Sequence, residues 1–220
     1  MTTPASPPRP VDFWFDFVSG YSWLAIARAA AFASEHNVSW RLRPFVLGAV
    51  LQQRGRRAIA QEPSTRSYAI FDVARNAHAL GLVMRGPTVH PFLSLKALRA
   101  HALHQDAPES LALARELFAA CYERDEDLAD TEVVTRCVSA VGLSTEGLDA
   151  RLRDAATKTK LRENTDEAVA LGVFGAPFFF FDGEPFWGHD RMPLLAARLD
   201  GAPGLPPAQA EALLRLPPPN

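Results

Sequence analysis

The chain has 220 residues, 48% of them hydrophobic, and a formal net charge of −2 at pH 7. That length buries a sizeable core and fits one domain, or one domain that carries a large insertion. The near-neutral charge argues against nucleic acid or an anionic membrane as a partner, and no apolar run is long enough to span a bilayer.

Cysteine usage and the N-terminus indicate the compartment. Cys121 and Cys137 are the only cysteines, lie far apart and form no CxxC motif, so neither a redox pair nor a disulfide framework is expected. The first ten residues are Pro-rich and lack the apolar core of a signal peptide. A reducing, cytoplasmic setting is therefore the expectation.

The first predicted element is a buried strand at 11–18 that runs straight into a helix. Its apolar side chains alternate onto both faces, as in a central strand that is covered on each side. They are Phe13, Phe15 and Phe17 on one face, and Trp14 and Val18 on the other. An Ala-rich helix follows from Trp23 to about His36 and ends at Asn37.

The turn between this strand and this helix holds the first candidate for chemistry. A strand-turn-helix unit aims free backbone N–H groups and the positive end of the helix dipole at the space above the turn. Ser19 places a hydroxyl there, where it can bind and activate an anion. The alternative is that Ser19 only caps the helix; Ser22 is assigned to a cap rather than to chemistry.

The middle of the chain changes from strand to helical patterns. A second strand is predicted at Val38–Phe45, after which helical periodicity continues to about Arg162. Helices are predicted at 67–80, 92–104, 110–122, 131–141 and 145–156. His101 and His104 share one helix face, but no further ligands accompany them, so no metal site is predicted.

Strand patterns return near the end of the chain. A helix at Asn164–Leu171 precedes an apolar strand at Ala176–Phe181. The pair Asp182-Gly183 then predicts a two-residue hairpin turn into a strand at Glu184–Trp187. Asp190 is expected to cap a last helix to Leu199, and one short helix is expected in the Pro-rich remainder.

These elements predict an α/β fold, a thioredoxin-like core with an inserted all-helical domain. The discontinuous core comprises 11–46 and 164–200, the insertion 47–163, and the Pro-rich tails 1–10 and 201–220. Pro177 follows Gly175-Ala176 at the start of the returning strand, where such a core carries a cis-proline.

Both ends of the chain resemble one known family. FDFVSGYSWLA resembles the F-D-x-x-S-P-Y-S-x-L-A segment of 2-hydroxychromene-2-carboxylate isomerases and of the related kappa-class glutathione transferases. NTDEAVALGVFGAPFFFFDGEPFWGHDRMPLL resembles the isomerases' N-T-D-E-A…G-V-F-G-x-P…G-x-x-F-W-G-x-D-R segment still more closely. The resemblance runs from Val11 to Leu199. It implies a thioredoxin-like fold, a glutathione cofactor and usually a homodimer.

By this resemblance, Ser19 holds the thiolate of glutathione. Lowering a thiol pKa from about 8.5 to about 6.5 needs roughly 2.7 kcal/mol, which a helix N-terminus and a hydroxyl together supply. The backbone N–H and C=O of Ala176, beside Pro177, pair with the cysteinyl part.

The same resemblance assigns the γ-glutamyl end of glutathione to the start of the last helix. The residues assigned there are Trp187, Gly188, His189 and Asp190. Backbone N–H groups bind the carboxylate and Asp190 binds the ammonium. The alternatives are a plain helix cap for Asp190 and a surface position for His189.

The chain departs from the family pattern at two points. Gly20 replaces the Pro that follows the serine, and the segment 55–59 (GRRAI) replaces the common G-N-x-P-P. That segment lies near the substrate in the family, so the identity of the substrate stays open. Arg56 and Tyr21 are assigned to substrate binding, since an aromatic carboxylate pairs well with an arginine.

The predicted function is a glutathione-dependent isomerase of the 2-hydroxychromene-2-carboxylate type, acting in aromatic degradation. Its partners are a small aromatic carboxylate or an electrophile, with no nucleic acid, membrane or metal. Transfer of glutathione to an electrophile at the same site is the second hypothesis, and a non-catalytic thioredoxin-like binding module the third. A Ser19–His189–Asp190 hydrolase triad is disfavoured, because adjacent residues do not easily align as base and orienting group.

Overall fold

The computed structural model describes residues 7–204, 206 and 209, and in them one mixed sheet with strand order β2-β1-β3-β4. Its strands are β1 (Arg9–Phe15), β2 (Val38–Pro44), β3 (Phe178–Phe181) and β4 (Glu184–Trp187). β1 pairs in parallel with β2 and antiparallel with β3, and β3 and β4 form an antiparallel hairpin. This sheet, combined with many helices, confirms the predicted α/β class.

The helices fall into three groups along the chain. Helix α1 (Gly20–His36) joins β1 to β2, and α9 (Met192–Leu199) follows β4. Between β2 and β3 lie α2 (Leu47–Gln53), α3 (Pro63–Ala79), α4 (Leu95–Leu103), α5 (Ser110–Arg124), α6 (Thr131–Ala140), α7 (Leu148–Arg153) and α8 (Ala155–Ala170). None of the described helices is long and apolar enough to cross a membrane.

Strand β1 supplies side chains to two separate cores, as its alternating pattern predicts. Phe13 contacts Phe179 with ring centroids 4.6 Å apart, in the larger core that includes residues of α1 and α5. Trp14 packs on the other face of the sheet against Phe45, at 6.4 Å, in a core shared with α2 and α8. The central position of this strand therefore follows from its two-sided apolar pattern.

Several predicted element bounds are wrong. The helix predicted at 145–156 is two helices, α7 and the start of α8, which Asp154 separates. β1 begins at Arg9, inside the predicted tail, and α2 was not predicted at all. The helix predicted to start at Asn164 is the second half of α8, which crosses the proposed boundary between insertion and core. Asn164 is a buried interior residue whose amide donates to Pro44 O at 3.0 Å and Gln105 Oε1 at 2.8 Å.

The division into a core and an inserted domain stays a prediction. The short helix expected near the C-terminus falls almost entirely outside the described residues. The Asp182-Gly183 turn is confirmed, since both residues have positive φ, 51° and 77°, as a type I′ hairpin turn requires.

A buried carboxylate fixes the end of β1 to two segments of the insertion. Asp16 is 2% exposed, and its oxygens accept hydrogen bonds from Val18 N at 3.1 Å, Ser94 Oγ at 2.7 Å and Leu47 N at 2.9 Å. Burial raises the pKa of this carboxyl, against the opposing effect of those donors. The turn before Ser19, the start of α2 and the residue before α4 are therefore held together.

Ser19 caps α1, so the assignment of the cap to Ser22 is wrong. The Ser19 Oγ accepts a hydrogen bond from Ser22 N at 3.2 Å, and Ser19 has the extended backbone of an N-cap residue. The Ser22 hydroxyl points into the buried side of the helix, where it has no partner among the described residues. At the other end, Asn37 adopts the left-handed conformation of a helix stop, with φ 51°.

We predict that Ser22→Ala leaves the free energy of unfolding unchanged or raises it by up to about 1 kcal/mol. The substitution removes a buried hydroxyl without a partner and adds a better helix former. Ser19→Ala, which removes the cap, is expected to cost about 1 kcal/mol. Urea unfolding of both variants decides the matter; a larger loss in Ser22→Ala than in Ser19→Ala contradicts this account of the cap.

Acid stability is expected to depend on His101, which is fully buried in α4. Its Nε2 lies 3.1 Å from Ser110 O, and its ring packs edge-on against Phe15 with centroids 5.0 Å apart. Burial lowers its pKa from 6.5 to about 4. The unfolded chain therefore binds one more proton than the folded chain in this pH window, and stability falls as the pH drops from about 6.5 to about 4.

We predict that His101→Gln removes about 3 kcal/mol of this pH dependence, the equivalent of the pKa difference. The measurement is the free energy of unfolding by urea between pH 7 and pH 4. His78→Gln, at an exposed histidine near the end of α3, is the matched control and should keep the wild-type slope. An unchanged slope in His101→Gln would show that another group carries the acid sensitivity.

Candidate functional site

The structure brings Ser19 and Ala176, 157 residues apart, into direct contact. The Ser19 Oγ donates a hydrogen bond to Ala176 O at 2.9 Å, above the N-terminus of α1. The Ala176–Pro177 peptide bond is cis, the isomer expected from the sequence. The Ala176 N–H has no hydrogen-bond partner within 7–204, so a free donor lies beside the serine hydroxyl.

Strand pairing explains why Ser19 and Ala176 lie next to each other. The antiparallel register of β1 and β3 pairs Trp14 with Phe178, so the end of β1 lies beside the start of β3. The residues just past Trp14 and just before Phe178 are thereby placed at one edge of the sheet. Ser19 and Ala176 belong to these two connecting segments.

The backbone before Ser19 is held by two side chains that the sequence analysis did not select. Asp16 accepts from the N–H of Val18, and His90 Nε2 lies 2.8 Å from the Val18 carbonyl. Because a carbonyl only accepts, the Nε2 of His90 carries the proton, and its buried Nδ1 has no partner in the described structure. Burial lowers the pKa of His90, which keeps the ring neutral at pH 7.

The sequence contains a pattern that could have predicted the structural role of Asp16, but none that could have predicted the role of His90. The predicted strand at 11–18 holds two acidic residues, Asp12 and Asp16, and an acidic residue that is buried among apolar ones has to find donors, so partners for Asp16 were open to prediction. His90 lies in an irregular segment of the insertion, and nothing in the local pattern places it against Val18.

The turn at Trp187 and Gly188 contacts the Ala176–Pro177 segment. Gly188 N donates to Pro177 O at 3.0 Å, and Gly188 has φ 106°, a conformation that favours glycine. The indole of Trp187 lies so close to Gly175 that a Cβ there would collide with it, and about half of the indole side chain is exposed. The predicted residues Ala176, Pro177, Trp187 and Gly188 therefore form one continuous wall.

Asp190 does not cap the last helix, which corrects the expectation from the sequence. Residues His189–Arg191 form a 3₁₀ turn, and α9 starts only at Met192, with Pro193 in its first turn. The exposed Asp190 carboxylate instead pairs with Arg191 Nη1 at 2.9 Å. It remains open to a cation from solvent.

His189 is buried rather than on the surface. It is 9% exposed, and its ring stacks on Tyr21 with centroids 5.4 Å apart and an interplanar angle of 9°. Burial lowers the pKa of His189, so the ring is neutral at pH 7. The stacking connects the Gly188–Asp190 turn to the first turn of α1.

Tyr21 also joins α1 to the insertion. Its hydroxyl donates to Asp72 Oδ2 on α3 at 3.0 Å, and Asp72 pairs with Arg75 at 3.3 Å. Burial and this hydrogen bond raise the pKa of the Tyr21 phenol, which therefore stays protonated. A role for Tyr21 towards substrate stays a prediction.

No hydrogen bond joins Arg56 to Ser19 in the described part of the chain. It lies in the exposed turn after α2, where its backbone N–H donates to Leu51 O at 2.9 Å. Its side chain makes no hydrogen bond or ion pair in the described part of the chain. Its assignment to substrate binding therefore stays a prediction.

The protein's own thiols, Cys121 on α5 and Cys137 on α6, are buried and poorly ionised. Burial raises the pKa of Cys137 to about 11 and raises that of Cys121 further. Among the described residues, no cluster of three or more His, Cys, Asp or Glu side chains has the arrangement to hold a metal ion. The reactive groups at the site are thus a hydroxyl, free backbone groups and a helix N-terminus.

Comparison with known proteins agrees with the resemblance drawn from the sequence. Human glutathione S-transferase kappa 1 is 30% identical over 205 residues, covering 86% of this chain and 90% of that protein. The 2-hydroxychromene-2-carboxylate isomerase of Sphingobium xenophagum is 26% identical over 201 residues, covering 87% and 98%.

A solved structure and a family model establish the fold. The structure of a selenomethionine 2-hydroxychromene-2-carboxylate isomerase matches with a TM-score of 0.81 and 22% identity, over 94% of this chain and 100% of that one. Residues 10–200 match the family model described as a DSBA-like thioredoxin domain. The chain therefore belongs to the family of DSBA-like thioredoxin domains, with kappa-class glutathione transferases and 2-hydroxychromene-2-carboxylate isomerases among its homologues.

Proposed function

We propose that this protein is a glutathione-dependent isomerase of the 2-hydroxychromene-2-carboxylate type. The observation that carries the proposal is the 2.9 Å contact between the Ser19 hydroxyl and the Ala176 carbonyl at the N-terminus of α1. This contact places the Ser19 hydroxyl, the free N–H of Ala176 and the N-terminus of α1 close together, so that all three can act on one bound group. Relatives named as this isomerase at 26–28% identity support the choice of reaction.

The site fits the cysteinyl part of glutathione. An extended peptide needs one donor and one acceptor from the protein, and Ala176 offers both an unpartnered N–H and a carbonyl. When bound, glutathione supplies a thiolate that adds reversibly to the substrate or is transferred to it. The chain's own residues bind it, orient it and keep its sulfur ionised.

Ser19 would act by changing its hydrogen-bond acceptor. In the structure its proton points to Ala176 O, while Oγ accepts from Ser22 N at 3.2 Å. A sulfur anion above α1 is a stronger acceptor than a carbonyl, so the hydroxyl turns to it and releases Ala176 O for the peptide. The hydrogen bond from Ser22 N polarises the hydroxyl and strengthens its donation.

The Gly188–Asp190 turn would hold the γ-glutamyl end. The exposed Asp190 carboxylate is available for the ammonium, and the N–H groups of His189 and Asp190 for the carboxylate, whereas Gly188 N already donates to Pro177 O. The half-exposed indole of Trp187 would close one side of the site.

The second candidate is a kappa-like transferase that conjugates glutathione to electrophiles. Human glutathione S-transferase kappa 1, at 30% identity, favours this activity as much as the isomerases favour theirs. The altered segment at 55–59 also departs from the isomerase pattern. Ser19 has the same role in both reactions. They differ in the substrate and in the fate of glutathione, which the isomerase releases unchanged and the transferase leaves bonded to the electrophile in place of its leaving group. We propose a homodimer for this protein under either activity.

We predict that the purified protein binds reduced glutathione and turns over one of two substrate classes. Calorimetry at neutral pH should show saturable heat with millimolar glutathione. Assays with a chromene carboxylate and with a halogenated nitrobenzene then separate the isomerase from the transferase. A flat calorimetric trace rules out both, and binding without turnover of either substrate identifies a non-catalytic module.

We also predict that Ser19→Ala lowers the rate at pH 7 roughly ten- to a hundred-fold, equivalent to about 1.5–3 kcal/mol. Losing the hydroxyl raises the pKa of the bound thiol and lowers its thiolate fraction. The loss should shrink as the pH rises towards 9, because deprotonation then needs less help.

The matched control is Ser19→Thr, which keeps a hydroxyl and a helix cap and should retain most of the rate. The measurements are pH–rate profiles and ultraviolet titration of the thiolate. A wild-type titration curve in Ser19→Ala would mean that Ser19 is a cap and nothing more.

A further inference from the structure

We infer that the protein has a second binding site, for a small organic carboxylate with an apolar body, in a cavity between α2, α4 and α8. The cavity has a volume of about 250 Å³. Its wall includes Val46, Leu95, Leu161 and Val169, together with the basic residues described below. None of its residues belongs to the proposed glutathione site, so the inference does not depend on the proposed function.

The charge of the wall favours an anion. Arg99, Lys158 and Arg162 line the cavity, and Asp166 is the one carboxylate in its lining, which leaves an excess of two positive charges. None of the three cations forms an ion pair with another described residue. The Arg162 guanidinium makes a single hydrogen bond, to Thr159 Oγ1 at 3.4 Å.

The strongest evidence for an anion in the cavity is the side chain of Arg99. It is half-buried on α4, and its Nε is fully buried with no acceptor in the described structure. The equally half-buried Arg66 donates to two carbonyls, Ala60 O at 2.9 Å and His90 O at 2.8 Å, whereas Arg43, outside the cavity, shares with Arg99 a buried Nε without an acceptor. Buried donors in folded proteins have partners in the great majority of cases. A ligand carboxylate beside the Arg99 guanidinium would supply the missing acceptor.

The rest of the wall favours an apolar body over a bare ion. Val46, Leu161 and Val169 present aliphatic side chains, and Leu95 is 37% exposed at the cavity. The Thr165 hydroxyl, also in the wall, is already occupied, because it accepts from Val46 N at 3.1 Å and donates to Leu161 O at 2.8 Å. The volume is below that of sites for drug-sized ligands, so a small ring system or a short chain fits.

The Asp16 carboxylate, which holds the turn before Ser19, also holds residues next to the cavity wall. Val46 and Leu95 each lie one residue from a donor to Asp16, namely Leu47 and Ser94. Two walls of the cavity are therefore held by the same carboxylate that holds the turn before Ser19. This anchoring gives the site a preformed shape.

The test uses 2-naphthoate as the probe, with 2-naphthamide as its neutral counterpart, in calorimetric titrations of the full chain. We expect saturable binding of 2-naphthoate that Arg99→Met weakens at least tenfold, because the variant keeps the stem and removes the charge. The matched control is Arg151→Met, at a half-buried arginine on α7 outside the cavity, which should leave the affinity unchanged. The amide should bind at least tenfold more weakly than the acid.

Saturating glutathione should leave this affinity unchanged, which separates the cavity from the proposed active site. If Arg99→Met does not fold, the exposed pair Lys158→Gln and Arg162→Gln makes the same test. The inference is overturned if no binding component is lost in these variants, or if glutathione displaces the component that is lost. Equal affinity for inorganic phosphate would reduce the cavity to a plain anion site and overturn the apolar part.

Discussion

The Asp16 carboxylate is the interaction on which the arrangement of the site depends. A buried carboxylate is costly unless donors surround it, and Asp16 obtains its three from three separate segments. Each donor that is lost leaves the buried carboxyl group with one partner fewer, which is unfavourable in an apolar setting, so the three segments keep their positions together. The turn before Ser19 is thereby fixed to the insertion as well as to the sheet. This explains how a hydroxyl in a connecting segment can be held within hydrogen-bonding distance of one fixed carbonyl.

Elements that depend on residues close together in the sequence were predicted correctly more often than contacts between residues far apart in the sequence. Strand β1, helix α1 and the Asp182-Gly183 hairpin follow from local patterns, because periodicity and turn residues are read within a few positions. The contact between Ser19 and Ala176 required the fold as well, which the resemblance supplied. The boundary at Asn164 failed because an amide that looks like a cap is, in the structure, bonded to Pro44 and Gln105 from other elements.

The contact of His90 with Val18 is an example of a long-range contact that local sequence patterns do not predict. Its ring lies 2.8 Å from the Val18 carbonyl across 72 residues, and nothing in its neighbourhood of the sequence marks that contact. The same holds for the stacking of His189 on Tyr21, which excludes the surface position that was the alternative to a role of His189 in glutathione binding. Side chains that position a segment from far along the chain are therefore found in the structure, whereas the assignment of the site residues themselves stays a prediction from the sequence.

If the proposed activity is correct, the identity of residue 19 determines which molecule supplies the reactive group. A serine hydroxyl does not ionise near neutral pH, and both of the protein's thiols are buried with raised pKa values. The N-terminus of α1 and the Ser19 proton nevertheless form a setting that stabilises a negative charge. A site that stabilises an anion but carries no ionisable nucleophile of its own is suited to a nucleophile that arrives with a ligand. The free N–H of Ala176 beside it favours a ligand with a peptide backbone, which joins the thiolate and the peptide in one molecule of the glutathione type.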